Sequence, residues 1–518
     1  MAHCIRYTSI ALVLRLLSFG ILFAQVHTGH KKSGNKVLLL LLDGMRWDLF
    51  GAEMPAMKKV QENGVRLDWV DTVFPTLSSP SMFSIATGLY PESHNIVHNK
   101  IFTTTEQVTF HWNEAFTDPK FAYWWDQPGV EPAWVTAVKQ GLKAGSIAYP
   151  GGELPIHDTV PTKFVTNKIN WTLKERIDTA MAYFEEDDFE LVFLYWVDPD
   201  ETLHNHGIDS PNMYQTLQEI DEGVRYLFEQ ISEGGLEDVL DVLITSDHGM
   251  TQCNERLVVQ LYDDKIIDPQ DVQFITGYGS MLQIEPQPGK LDKVMQDLQY
   301  NTPVFHAYKR DEMDKRFHYG GSKRNLQIIG IPDPGWGVTT DPNIKWGNAN
   351  HGYDNKLMDM KSILFAQGTS IKKGYRARNM ESVNIYPLIC EILHLDPSPN
   401  NGSREHYQDM LALITPSTEE PAHPTHPTQP TQPIKMPTPP RECGTPQDHT
   451  LTVRTLSLVI MCLSISSLVL GVTTIYYCGR YGLCKNGLFS CCRDDEYRSH
   501  TGFISLANDI DLDDEDEV

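Results

Sequence analysis

Val37-Leu-Leu-Leu-Leu-Leu-Asp43-Gly44 runs six apolar residues without a break and stops at an Asp-Gly pair. A strand with one face in water alternates polar and apolar residues, whereas a strand buried on both faces reads as a continuous apolar run. Leu191-Val-Phe-Leu-Tyr-Trp196 and Val239-Leu-Asp-Val-Leu-Ile244 have the same form. Helical spacing of apolar residues fills the stretches between, at 171–184 and 213–231. The alternation predicts an α/β fold: a mostly parallel sheet with helices on both faces, in one catalytic-sized domain spanning 35–412.

The residues just past each run carry the chemistry. The first run ends in Asp43-Gly44, the second leads to Asp198-Pro-Asp200-Glu-Thr-Leu-His204, and the third leads to Ser246-Asp247-His248-Gly249. Ligands of open α/β sheets bind beyond the carboxyl ends of the strands, so three strands deliver Asp and His to one edge. A later loop, Gly347-Asn-Ala-Asn-His351-Gly-Tyr-Asp-Asn355, adds another His. Any one Asp at a strand end is ordinarily a turn or helix cap. Asp43, Asp200, Asp247, His204, His248 and His351 together exceed what one tetrahedral ion uses and suit two metals. Nitrogen and oxygen donors without thiolate point to Zn²⁺ first, then Mn²⁺.

Phe74-Pro-Thr-Leu-Ser78-Ser-Pro-Ser81 precedes a helical stretch, 82–87. A hydroxyl at a helix N-terminus lies among unpaired N–H groups that favour phosphate. Metal coordination would lower its pKa and make it a nucleophile; a simple helix cap is the other use of such a serine.

Asp43-Gly44, Thr87-Gly-Leu-Tyr-Pro-Glu-Ser-His94, Pro199-Asp200 with His204, Thr245-Ser-Asp-His-Gly-Met250 and Asn350-His-Gly-Tyr-Asp-Asn355 resemble the ectonucleotide pyrophosphatase/phosphodiesterase family, within the alkaline phosphatase superfamily. The resemblance spans about 35–405. It implies an alkaline-phosphatase-like fold and two Zn²⁺ per chain. It assigns Asp43, Ser78, Asp247 and His248 to one ion and Asp200, His204 and His351 to the other. Ser78 aligns with the nucleophile, usually Thr in the family, and would carry a covalent phosphoseryl intermediate. Asn99 aligns with the residue that hydrogen-bonds a phosphate oxygen. The expected activity is hydrolysis of extracellular nucleotide phosphodiester or pyrophosphate bonds.

Some positions depart from that pattern. Ser79 stands where nucleotide-cleaving members carry an aromatic that stacks on the base, and a second stacking position falls near Asn167. Tyr195 remains as a candidate base partner. Ser79 and Tyr149 resemble the choline-phosphodiester branch, in which aromatics hold a quaternary ammonium by cation–π attraction, so a sphingomyelin or lysophospholipid phosphodiesterase is the alternative. Leu203 replaces the usual Gly before His204. A sulfatase would need an Arg that Ser78-Ser-Pro-Ser-Met82 lacks. A catalytically weak surface receptor is the alternative of another class, to be marked by a missing ligand or nucleophile.

Composition and the chain ends suggest a setting. The chain has 518 residues and a formal net charge of -25, which argues against nucleic-acid binding. Residues 1–24 read as a signal peptide, with Arg6 in the n-region, Arg15 interrupting the apolar stretch and Ala24 at a plausible cleavage site. Residues 413–450 read as a Pro/Thr-rich stalk. Residues 455–477 carry no charge and suit a transmembrane helix. Arg480, Lys485 and Arg493 come soon after it, which puts 478–518 in the cytoplasm as an acidic tail. The expectation is a single-pass type I plasma-membrane protein with its catalytic domain outside. Asn170 and Asn401 begin glycosylation sequons on that outer side. Cys253, Cys390 and Cys443 are also external and allow one disulfide, which sequence does not choose.

Overall fold

A computed structural model of the protein describes residues 34–412 apart from 52, 104–107, 112–121, 167–169 and 345. The expected signal peptide, stalk, membrane helix and tail, with Cys443 and Asn167, lie outside the described residues. Among the described residues no helix is long and apolar enough to cross a membrane.

An eight-stranded sheet organises the chain. In chain order its strands are β1 (Lys36–Leu42), β2 (Val65–Leu67), β3 (Ala144–Ile147), β4 (Lys163–Val165), β5 (Leu191–Trp196), β6 (Leu240–Thr245), β7 (Leu364–Gln367) and β8 (Tyr375–Ala377). Their spatial order is β8-β2-β7-β6-β1-β5-β3-β4. The pairings of β1 with β5 and β6, of β3 with β4 and β5, and of β8 with β2 are parallel; only β7 runs against its neighbours. The sheet is therefore mostly parallel within a mixed α/β fold.

Burial explains why β1 carries six consecutive apolar residues without alternation. Val37, Leu39 and Leu41 pack into one apolar layer, and Leu38, Leu40 and Leu42 into the other. The first layer is closed by α2 (Ser78–Thr87), α3 (Ala133–Lys139) and α8 (Ile385–Ile392). The second is closed by α1 (Pro55–Asn63), α4 (Leu173–Glu185) and α6 (Pro211–Glu233). Helix ends are fixed locally. Thr172 and Glu175 form a reciprocal capping box on α4, while Ser210 caps α6 through Met213 N–H with Pro211 at its first position. Met54, preceding α1, has no capping side chain. Asp221 from α6 supplies the acceptors instead, taking the Ala56 and Met57 N–H groups at 3.0 and 2.9 Å.

A four-stranded antiparallel sheet lies at 272–332, in the order Val272–Tyr278, Met281–Pro286, Ile328–Pro332, Phe305–Lys309. It has its own apolar cluster with α7 (Leu291–Asn301). The short helix α5 (Asp200–His206) comes directly after β5. Cys253 and Cys390 are both buried and unpaired, so a disulfide between them is not formed.

Candidate active site

The carboxyl ends of β1, β5 and β6 lie side by side, because the three strands are adjacent and parallel. Asp43 leaves β1 directly. Its N–H donates to Trp196 O, and its own carbonyl accepts the Asp200 N–H at 3.1 Å. The chain can turn this tightly because Gly44 has φ +68, and a Cβ there would lie 2.9 Å from Asp200 Cβ. Asp200 opens α5, and one turn later His204 stands on the same face, Nε2 to Oδ2 3.4 Å. Leu203 turns into the apolar layer between them without removing His204 from Asp200.

Three imidazoles converge with the same orientation. Nδ1 of His204 faces Ala349 O, Nδ1 of His248 faces Gly249 O and Nδ1 of His351 faces Thr76 O, at 2.9, 2.9 and 2.8 Å. A carbonyl only accepts, so each Nδ1 carries the proton and each Nε2 presents a lone pair. His248 and His351 stack with centroids 3.5 Å apart and planes 11° apart.

The carboxylates mirror this pattern. Asp43 Oδ2 accepts from the Tyr195 hydroxyl at 2.7 Å. Asp247 Oδ1 accepts the Gly44 and His248 N–H groups at 3.2 and 3.0 Å. Asp43 Oδ1, Asp200 Oδ1 and Asp247 Oδ2 are buried and have no hydrogen-bond partner. A buried carboxylate oxygen is costly to leave unmatched, and three together are costlier. Burial, then the charges of neighbouring aspartates, push Asp43 and Asp200 well above the usual carboxylate range. Burial also pulls His248 down, His204 down to about 4 and His351 well below the usual imidazole value. Neutral imidazole Nε2 atoms facing unmatched carboxylate oxygens form a cation-binding donor set. Two sets of three residues each bring one ligand atom apiece within 4.8 Å of the others in the set: Asp200, His204 and His351, and Asp43, Asp200 and His248. Asp200 reaches into both, whereas the sequence expectation placed it in one. Asp247 joins through Oδ2, 3.2 Å from His248 Nε2.

Ser78 is the first residue of α2, four residues earlier than the sequence pattern suggests, and makes no cap bond. Its Oγ lies 3.3 Å from His248 Nε2. Asn99 Oδ1 accepts the Ser79 N–H at 2.9 Å. The amide is thereby oriented, and Nδ2 is the end available to a ligand.

Two expected substrate contacts are corrected. Tyr149 is 2% exposed, packs edge-on against Trp134 and Phe193, and donates its hydroxyl to Met82 O at 2.8 Å, so it is a core residue. Tyr195 is 3% exposed and is occupied by Asp43, so it orients that aspartate instead of facing a base. Ser79 is fully buried. Of the sequons, Asn170 is exposed, and so is Asn401, whose Oδ1 accepts the Tyr90 N–H. Thr76 is a site residue that the motifs do not mark. Its carbonyl holds His351, and its hydroxyl accepts the Gly352 N–H at 2.9 Å. The only signal for it is its place two residues before Ser78.

Known proteins share both this sequence pattern and this fold. Residues 37–354 match the family described as type I phosphodiesterase / nucleotide pyrophosphatase. Human ectonucleotide pyrophosphatase/phosphodiesterase family member 7 is 34% identical over 394 residues, 74% of this chain and 84% of that protein. Human bis(5'-adenosyl)-triphosphatase ENPP4 is 33% identical over 407 residues, 76% of this chain and 86% of that protein. The structure of an inactive form of murine ectonucleotide pyrophosphatase/phosphodiesterase 5 in complex with AMP superposes with a TM-score of 0.69 at 31% identity, covering 73% of this chain and all of that one.

Proposed function

Because the chain belongs to the type I phosphodiesterase / nucleotide pyrophosphatase family, we propose that it is a zinc-dependent phosphodiesterase that hydrolyses extracellular nucleotide phosphodiester or pyrophosphate bonds at the cell surface. One observation carries the reading. Three buried carboxylates each keep an oxygen unmatched beside three imidazole lone pairs, next to a serine hydroxyl at a helix N-terminus. Asp43, Asp247, His248 and Ser78 would hold one ion and Asp200, His204 and His351 the other, with Asp200 near both. Bound there, the ions supply positive charge that favours the serine alkoxide and offsets the charge of the phosphoryl group.

The chain's own residues complete the site. Ser78 Oγ attacks phosphorus, a Ser–O–P bond forms and the bond to the leaving oxygen breaks. Water then cleaves the Ser–O–P bond and regenerates the hydroxyl. The Ser78 N–H at the start of α2 and the Nδ2 of Asn99 receive phosphate oxygens, the Ser79 and Ser81 N–H groups being taken by Asn99 Oδ1 and Leu77 O. The nucleotide class is favoured over choline esters because Tyr149, the aromatic expected to hold an ammonium, lies in the core. Two relatives, a bis(5'-adenosyl)-triphosphatase and a phosphodiesterase whose inactive form was solved with AMP, point the same way. The plasma-membrane setting rests on the sequence of 1–24 and 455–477 alone.

The full-length chain in detergent, supplied with zinc, should hydrolyse a p-nitrophenyl nucleoside monophosphate ester. Chelation should abolish the rate and zinc should restore it. Turnover of p-nitrophenyl phosphorylcholine alone would move the protein to choline esters. Turnover of neither, with zinc bound, would support the receptor alternative.

A further inference from the structure

Asn99 stands on a stretch, 95–99, with no regular structure of its own. Its position must therefore come from elsewhere. Four donors, all from 276–324, hold this stretch and its neighbour. The Tyr319 hydroxyl donates to Val97 O at 2.7 Å, and Thr276 Oγ1 donates to Lys100 O at 3.0 Å. Ser322 Oγ and an Arg324 guanidinium nitrogen donate to Asn95 Oδ1 and Asn95 O. Tyr319 is the most enclosed of them, with no exposed surface. Its hydroxyl oxygen accepts from Gln283 Nε2 at 2.8 Å, which aims its own proton at Val97. Gln283 is set in turn by the Leu326 N–H on its Oε1 at 2.7 Å. The Tyr319 ring meets Phe74 edge-on at 5.1 Å, four residues before Ser78.

One buried side chain thus touches both the segment leading to the nucleophile and the segment leading to the phosphate-binding amide. We propose that Tyr319 is a positioning residue for phosphoryl transfer, holding Val97 so that Asn99 Nδ2 faces the substrate phosphate beside Ser78. The inference rests on the phosphodiesterase reading and on the role of Asn99 within it. Thr276 holds the other side of Asn99 and shares the task.

A double-mutant cycle in the full-length zinc-loaded protein tests it. Tyr319→Phe keeps the ring against Phe74 and removes only the hydroxyl. It should lower kcat about tenfold with KM nearly unchanged, the size of effect that a small misplacement of a catalytic group produces. In an Asn99→Ala background the same change should have almost no further effect. Thr276→Val, of nearly equal volume, should show the same pattern and provides the test if Tyr319→Phe fails to fold. An equal loss in both backgrounds would overturn the proposal, because a merely structural loss would be independent of Asn99. A slow Asn99→Ala with wild-type rates in Tyr319→Phe would overturn the positioning claim alone. An Asn99→Ala with undiminished kcat would overturn the role of Asn99 and the proposal with it, and a wild-type protein without phosphodiester turnover would overturn both readings.

Discussion

Tyr195 and Asp43 are joined across two neighbouring parallel strands, the Tyr195 hydroxyl donating to Asp43 Oδ2 at 2.7 Å. The register of β1 and β5 pairs Leu41 with Tyr195, so the side chain projects toward the end of the adjacent strand where Asp43 begins. Burial and the neighbouring Asp43 raise the Tyr195 phenol well above its usual value, which keeps it a donor. One carboxylate oxygen is thereby occupied and the other is presented to the cluster.

Removing that hydroxyl should loosen the metal site without emptying the core. Tyr195→Phe is expected to weaken zinc binding about ten- to a hundredfold, as loss of a ligand's hydrogen-bond partner generally does. Competition titration with a zinc chelator reads this directly. Unchanged affinity would show that Asp43 needs no orienting partner.

Charge crowding gives an expectation for the metal-free protein. Asp200 is raised by burial and by Asp247, so apo protein carries a repulsive cluster. Asp200→Asn should therefore melt several degrees higher than wild type when both are metal-free, about 1–3 kcal/mol on the scale of buried charge repulsion. With zinc present the order should reverse, since the variant lacks a ligand. Scanning calorimetry with and without zinc would reveal it, and a variant less stable in both states would refute the cation-binding account of the cluster.

A buried imidazole outside the Asp/His cluster is expected to weaken the fold in acid. His94 has no exposed surface, accepts the Ile96 N–H on Nδ1 and faces Ser84 Oγ with Nε2. Burial first, with Arg324 adding to it, lowers its pKa to about 3. Below about pH 6.5 the unfolded chain takes a proton that the folded chain refuses. The contribution is whole above that pH and is lost as pH falls toward 3. Between pH 7 and pH 5 the loss is about 2 kcal/mol from this residue. Urea midpoints of wild type and His94→Gln at both pH values should show a smaller drop in the variant; equal drops would remove His94 as the cause.

The fold is legible in the sequence where burial is two-sided. The runs at 37–42, 191–196 and 239–244 correspond to β1, β5 and β6 within one residue at each end, because a strand covered on both faces is nearly all apolar. The one polar interruption, Asp241 in β6, is buried and accepts from the Ser370 N–H and hydroxyl. The four-stranded sheet at 272–332 leaves no such mark, since strands such as Val272–Tyr278 are half exposed and contain Gly277. The Asp and His after the three runs are legible because sheet geometry brings strand ends together. Tyr195 and Tyr149 are not the substrate contacts expected, because a buried tyrosine turns its hydroxyl to a buried partner, Asp43 for Tyr195 and Met82 O for Tyr149. Sequence shows the aromatic residues but not which way they turn.

The proposed function turns on Ser78 forming a covalent bond to the substrate phosphorus at a two-metal site. The most direct measurement is rapid acid quenching of the full-length zinc-loaded protein during turnover of a nucleotide phosphodiester, with peptide mass spectrometry of the quenched protein. A nucleoside monophosphoryl adduct is expected on Ser78 and should be absent from Ser78→Ala, which should also lose turnover while still binding zinc. An adduct on another residue, or undiminished turnover in Ser78→Ala, would contradict it.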